Sequence, residues 1–115
     1  MTASPAFVII DTISIDETVA FYTQKLGFEI DRQNPEFAQF CTPNGGTTLA
    51  AQRRDGVAPA QGIELWWDTD NADTLYATLT GRDVPIAYPP TDFPFGRAFG
   101  IIDPSGHTLH MLQAR

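Results

Sequence analysis

Phe99-Gly100-Ile101-Ile102-Asp103-Pro104-Ser105-Gly106-His107-Thr108-Leu109-His110-Met111-Leu112 sets the pattern for the whole chain. Two apolar runs flank Asp-Pro-Ser-Gly, where proline fixes φ, Asp and Ser bond nearby backbone, and glycine accepts positive φ. The stretch therefore reads as strand, tight turn, strand. Leu109 and Met111 alternate with Thr108, His110 and Leu112, which puts His110 on the face opposite Leu109. The surroundings of that histidine become the central question about function.

Upstream of the hairpin, Tyr88 to Pro94 reads as a long loop rich in proline and aromatic residues, preceded by a short strand, Val84-Pro85-Ile86. The proline in that strand suggests an edge position. Before it, Asp70 or Asn71 is placed to cap a helix whose apolar stripe is Ala72, Leu75, Tyr76 and Leu79, ending at Gly81. Ile63-Glu64-Leu65-Trp66-Trp67 reads as the strand that opens this half. Together these elements spell β-α-β-β-β.

The first half follows the same plan. Phe7-Val8-Ile9-Ile10 is an apolar run expected to form a strand. Ser14-Ile15-Asp16-Glu17 has the form of a capping box. Ile15, Val19, Tyr22 and Leu26 then make one helical stripe, closed by Gly27. Phe28-Glu29-Ile30, Phe37 to Cys41 and Thr47 to Gln52 supply three strands, with a turn at Pro43-Asn44-Gly45-Gly46. The repeat extends to residues. Pro43 to Ala50 lies over Pro104 to His110 with one extra residue, and Phe21-Tyr22 lies over Leu75-Tyr76. Repetition on this scale means two copies of one supersecondary unit. The expected organisation is a single domain, 1–115, with module one at 5–54, a linker at 55–62 and module two at 63–114.

At 115 residues the chain suits one core, and its 43% hydrophobic and 18% charged content is ordinary for a folded protein. No apolar run has the length of a membrane helix, and the first residues lack the features of a signal peptide. One cysteine, Cys41, forms no internal disulfide and fits a reducing, cytoplasmic setting. Seven Lys and Arg against fourteen Asp and Glu give a net charge of −7. That charge repels phosphate backbones and argues against nucleic-acid partners. It suits a cationic ligand, but acids scattered along a chain usually just face water, so solubility alone is the plainer reading. Nothing in the chain resembles a nucleophile elbow or a hydrolytic triad.

Phe21-Tyr22-Thr23-Gln24-Lys25-Leu26-Gly27-Phe28 and Asp103-Pro104-Ser105-Gly106, set in paired β-α-β-β-β modules, resemble the vicinal oxygen chelate superfamily. That group includes glyoxalase I, extradiol dioxygenases, fosfomycin-inactivating enzymes and bleomycin-resistance proteins. The resemblance spans Phe7 to Leu112 and implies an α+β fold, two βαβββ modules forming a curved mixed sheet around a cleft. It also implies where metal-using members hold their ligands, on one side of four strands. Carried over, these positions are Phe7, Ala50, Glu64 and His110. Phe7 and Ala50 have no donor atom. Catalytic zinc sites usually have three protein ligands, and non-haem iron favours two His and one carboxylate. The expectation is therefore no cofactor. The alternative is a divalent metal such as Zn, Fe, Mn or Ni, held by Glu64 and His110 with Gln52 as helper, in a glyoxalase-type lyase, isomerase or dioxygenase.

Without the metal, an aromatic binding site is expected. Period two groups Glu64, Trp66 and Asp68 on one strand face and sends Trp67 to the core below a helix. Phe93, Phe95 and Phe99 surround Arg97 in sequence, and together with Phe7 they fit an apolar pocket with few polar groups. Pro94-Phe95-Gly96-Arg97, Asp103-Pro104-Ser105-Gly106 and His110 most resemble the bleomycin-resistance proteins. That resemblance implies a homodimer binding cationic, flat aromatic molecules without chemistry, through Phe7, Glu64, Trp66, Phe93, Phe95, Arg97 and His110. Trp faces attract cations, and a carboxylate such as Glu64 favours positive groups. Arg97 also suits a purely structural role, a salt bridge to Asp103 or another acid.

Overall fold

The computed structural model describes residues 6–42, 46–56 and 64–115. The turn expected at Pro43-Asn44-Gly45, most of the linker and Ile63 lie outside the described residues. The chain divides into two compact units, Met1–Ala58 and Pro59–Arg115. Each carries one four-stranded sheet, and the two sheets have the same plan.

In the first unit, β1 (Phe7–Thr12) leads into α1 (Ile15–Ala20), a π-helical turn (Phe21–Lys25), β2 (Ile30–Asn34), β3 (Phe37–Phe40) and β4 (Thr48–Arg53). The sheet order is β1-β4-β3-β2, with β1 and β4 parallel and the other pairs antiparallel. In the second unit, β5 (Leu65–Asp68), α2 (Ala72–Gly81), β6 (Ile86–Phe93), β7 (Gly96–Ile102) and β8 (Thr108–Ala114) form the order β5-β8-β7-β6. Again the crossover pair, β5 and β8, is parallel.

Helix starts follow the capping residues. Ser14 is extended, and its hydroxyl accepts from the Glu17 N–H. Its own N–H donates to Thr12 Oγ1, so the Glu17 side chain is not needed to complete the box. Asn71, rather than Asp70, caps α2 by accepting from the Thr74 N–H. Ala72, the first residue inside, donates its N–H to Gln113 Oε1 and so ties the helix to β8.

The first helix departs from a single stripe. After Ala20 the backbone widens into the π-turn, which brings the consecutive residues Phe21 and Tyr22 both inside, while Val19 and Leu26 are only half-buried. Tyr22 packs against Phe28 and Phe40, at centroid distances of 5.9 and 5.4 Å. Phe28 and Glu29 precede β2 rather than belonging to it.

Each sheet has a packed face and an open face. Ile10, Thr12, Leu49, Ala51, Ala38 and Phe40 are buried in the first unit. Thr18 Oγ1 on α1 donates to Thr12 Oγ1 at 2.8 Å. In the second unit, Leu109, Met111, Phe99 and Ile101 are buried, and Tyr76 of α2 meets Phe99 edge-on at 5.4 Å. The turn between β7 and β8 is held by Asp103, whose carboxylate accepts from the N–H groups of Ser105 and His107.

The segment Tyr88 to Pro94, expected as a loop, is for the most part strand. β6 runs along the edge of its sheet through Pro89 and Pro90, and its register against β7 shifts twice, between Ile86 and Tyr88 and between Tyr88 and Thr91. An edge strand tolerates prolines because one side needs no ladder hydrogen bonds, and bulges absorb the missing donors.

Candidate ligand-binding site

The open face of the second sheet is assembled by register. Parallel pairing sets Trp66 beside His110, and antiparallel pairing sets His110 beside Gly100 and Gly100 beside Tyr88. Ile86 pairs with Ile101, so an unbroken antiparallel register would place Tyr88 opposite Phe99, on the packed face. The first bulge moves it one residue on, opposite Gly100, and so onto the open face. Gly100 is required there. A Cβ at that position would collide with the Tyr88 ring. The second bulge keeps Phe93 opposite Gly96 and on the same side.

The result is a continuous aromatic group. The Trp66 indole stacks on the His110 imidazole at 4.2 Å between centroids and 11° between planes. Phe95 and Phe93 meet Trp66 edge-on at 5.6 and 6.4 Å and stack on each other at 5.3 Å. Tyr88 completes the group, edge-on to Phe93 at 6.3 Å and tilted against His110 at 5.6 Å. Offset stacks and edge-on contacts are the favoured geometries of such rings. Yet Trp66 is 38% exposed and Phe95 50% exposed.

Two polar contacts orient the rings. Trp66 Nε1 donates to Glu64 Oε1 at 3.1 Å, and Tyr88 Oη lies 2.7 Å from His110 Nδ1. Burial pushes the His110 imidazole below its ordinary ionisation range, opposed by the pull of the Glu64 carboxylate. Burial, and then Glu64, push the Tyr88 phenol upward. At neutral pH the pair is uncharged, beside one carboxylate.

Of the residues expected to bind ligand, Glu64, Trp66, Phe93, Phe95 and His110 come together here. Arg97 does not join them. It shares the packed side of β7 with Phe99, its guanidinium bonded to Asp73 of α2 at 3.1 Å and to Asp92 of β6 at 2.9 Å. Those bonds hold its proton more firmly. Asp103, the acid first suggested for it, is occupied by the turn. Phe99 is wholly buried on the same side, so the sequence neighbours Phe95, Arg97 and Phe99 split between faces. Trp67 lies opposite Met111 on the packed face and is half-buried. Tyr88 escaped the sequence reading because its strand parity is broken by a bulge that no spacing rule locates. The alternation Ile86-Ala87-Tyr88 by itself sends Tyr88 to the packed face.

Phe7 belongs to the first unit, where the equivalent open face is different. Ile9 pairs with Ala50 as Trp66 pairs with His110, so Phe7 stands where Glu64 stands in the second unit. Phe7 and Ile9 are 52% and 48% exposed. Gln52 Nε2 donates to Asp11 Oδ1 at 2.8 Å. Gln52 is therefore engaged within its own sheet, Glu64 with Trp66, and His110 through Nδ1 with Tyr88. Among the described residues no three His, Cys, Asp or Glu side chains group as metal donors. The residues at the carried-over positions do not fit a catalytic metal shell.

The chain matches the family model described as Glyoxalase/Bleomycin resistance protein/Dioxygenase superfamily over residues 7–111. It belongs to this superfamily. Solved structures share the fold. The bleomycin-binding protein of bleomycin-producing Streptomyces verticillus, complexed with copper(II)-bleomycin, is 22% identical, with a TM-score of 0.73 and coverage of 100% of this chain and 99% of that one. The antibiotic-binding protein TnmS3 from Streptomyces sp. CB03234 is 20% identical, with a TM-score of 0.83 over 99% and 98%. A superfamily member from Sphaerobacter thermophilus DSM 20745 is 27% identical, with a TM-score of 0.79 over 96% and 97%. No curated protein sequence matches the chain. Among the described residues of this superfamily member, no helix is long and apolar enough to cross a membrane.

Proposed function

We propose that this superfamily member is a non-catalytic binder of small molecules, of the drug- or antibiotic-binding kind, and that its ligands are flat, cationic aromatic compounds. The observation that carries the reading is the half-exposed stack of Trp66 on His110, flanked by Phe93 and Phe95 and bordered by the Glu64 carboxylate. Exposed aromatic area of this kind is costly in water unless a partner covers it. Indole faces attract cations, and a neighbouring carboxylate adds to that attraction. The net charge of −7 acts in the same direction at longer range. Two fold neighbours, a bleomycin-binding protein and an antibiotic-binding protein, support this reading.

The metal-dependent alternative would rest on Glu64 and His110 with Gln52, and among the described residues each of these is hydrogen-bonded to a neighbouring side chain. Titration of the purified protein with metal-free bleomycin, followed by calorimetry and tryptophan fluorescence, tests the proposal. Saturable binding, quenching and an unchanged ligand afterwards are expected. Trp66→Ala is expected to weaken binding at least about tenfold, the scale of one lost stacked anchor. No heat and no quenching with bleomycin or with a panel of cationic aromatic dyes would sink it.

A further inference from the structure

The hydrogen bond between Tyr88 and His110 has a direction, and the direction decides what the site offers at its edge. A neutral imidazole carries one ring proton, and the nitrogen that accepts a hydrogen bond is not the one that bears it. Between a phenol and a neutral imidazole, the phenol is the better donor and the bare ring nitrogen the better acceptor. At 2.7 Å the contact is short for a hydrogen bond to nitrogen. Among the described residues, Tyr88 Oη and the His110 ring have no further hydrogen bond that would favour the reverse arrangement.

We infer that Tyr88 donates to Nδ1, fixes His110 as its Nε2–H tautomer, and so makes Nε2–H a donor that selects planar aromatic ligands with a hydrogen-bond acceptor on the ring edge. An imidazole N–H points in the plane of its ring, and that plane lies 11° from the plane of Trp66. The acceptor atom must therefore lie in the layer of the imidazole, and a ring carbonyl on a ligand parallel to the indole meets Nε2–H there. Stacking and hydrogen bonding reinforce the same pose. Glu64, already accepting from Trp66 Nε1, adds preference for a positive group. Tyr88 is in this scheme a positioning residue, acting through His110. The inference rests on the aromatic-ligand reading, and the experiment below separates the two.

Long-range proton–nitrogen spectra of the labelled protein at about pH 8 report which ring nitrogen is protonated, with His110→Gln identifying the signals of His110 against those of His107. A pyridine-like Nδ1 and a pyrrole-like Nε2 are expected, and Tyr88→Phe is expected to move both toward the average of two exchanging tautomers. Two probes then test selectivity, an acridone and an anthracene carrying the same dimethylaminopropyl chain. The wild type is expected to bind the acridone about tenfold more tightly, the scale of one neutral hydrogen bond, and Tyr88→Phe to lower that ratio about twofold, the loss when two tautomers share the ring equally. An Nδ1–H tautomer in the wild type, or a ratio that Tyr88→Phe leaves unchanged, would overturn the inference while tight binding of both probes upheld the ligand reading. The expected tautomer with neither probe bound would remove the selectivity together with the ligand reading beneath it.

Discussion

Gly100 and His110 show how single residues carry the site. Gly100 leaves room for the Tyr88 ring, and that ring reaches His110. Gly100→Ala is expected to push Tyr88 aside and cost about 1–3 kcal/mol of stability, the usual penalty of overpacking. Urea denaturation measures the loss, and the Tyr88–His110 bond should vanish with it. His110 also predicts a pH effect. Its folded ionisation lies below the ordinary value near 6.5, so below that pH the unfolded chain takes up a proton that the folded one resists. Stability from this group is complete above about pH 6.5 and falls as pH drops through the lower, folded value. Urea midpoints between about pH 7.5 and pH 5.5 should show that decline, and His110→Gln should flatten its share of it.

At the scale of elements, caps and alternation were readable from local chemistry. Ser14 and Asn71 both cap as their side chains suggested, and Asn71→Ala is expected to cost about 1 kcal/mol, checked by thermal or urea unfolding. The strand face of His110 followed from simple alternation in β8. Three features were not readable, each for a stated geometric cause. The π-turn after Ala20 adds a residue to one helical turn, so the period of 3.6 fails and Phe21 joins Tyr22 inside. The bulges in β6 add residues to one strand, so the period of two fails and Tyr88 changes face. Arg97 sits between Phe95 and Phe99 in sequence, but pairing with Asp73 and Asp92 draws it to the packed side. Sequence nearness suggested one pocket, but Phe95 stands in the turn before β7 and meets Trp66, while Arg97 and Phe99 share the packed side.

On the scale of the whole molecule, the duplicated βαβββ plan was legible because punctuation repeats along the chain. The content of each open face was legible only in part, since it depends on cross-strand partners. β1 and β2 bound the first sheet, β5 and β6 the second, and β1 presents the exposed Phe7 and Ile9 beside its edge. Sheet edges and exposed apolar residues favour pairing of copies. A homodimer is expected, and light scattering after gel filtration should give twice the chain mass. A mass equal to one chain at micromolar concentration would refute it.

Identical registers also give each position of one open face a counterpart on the other: His110 with Ala50, Trp66 with Ile9, Glu64 with Phe7. The same architectural place thus accepts a stacked histidine or a bare methyl, a tryptophan or an isoleucine. Packing against the helices holds each sheet together, and its other side is released from that duty. Such a division leaves recognition free to drift while folding is conserved. A duplicated chain of this design can acquire a new ligand by changing a few outward residues, with little of its stability at stake.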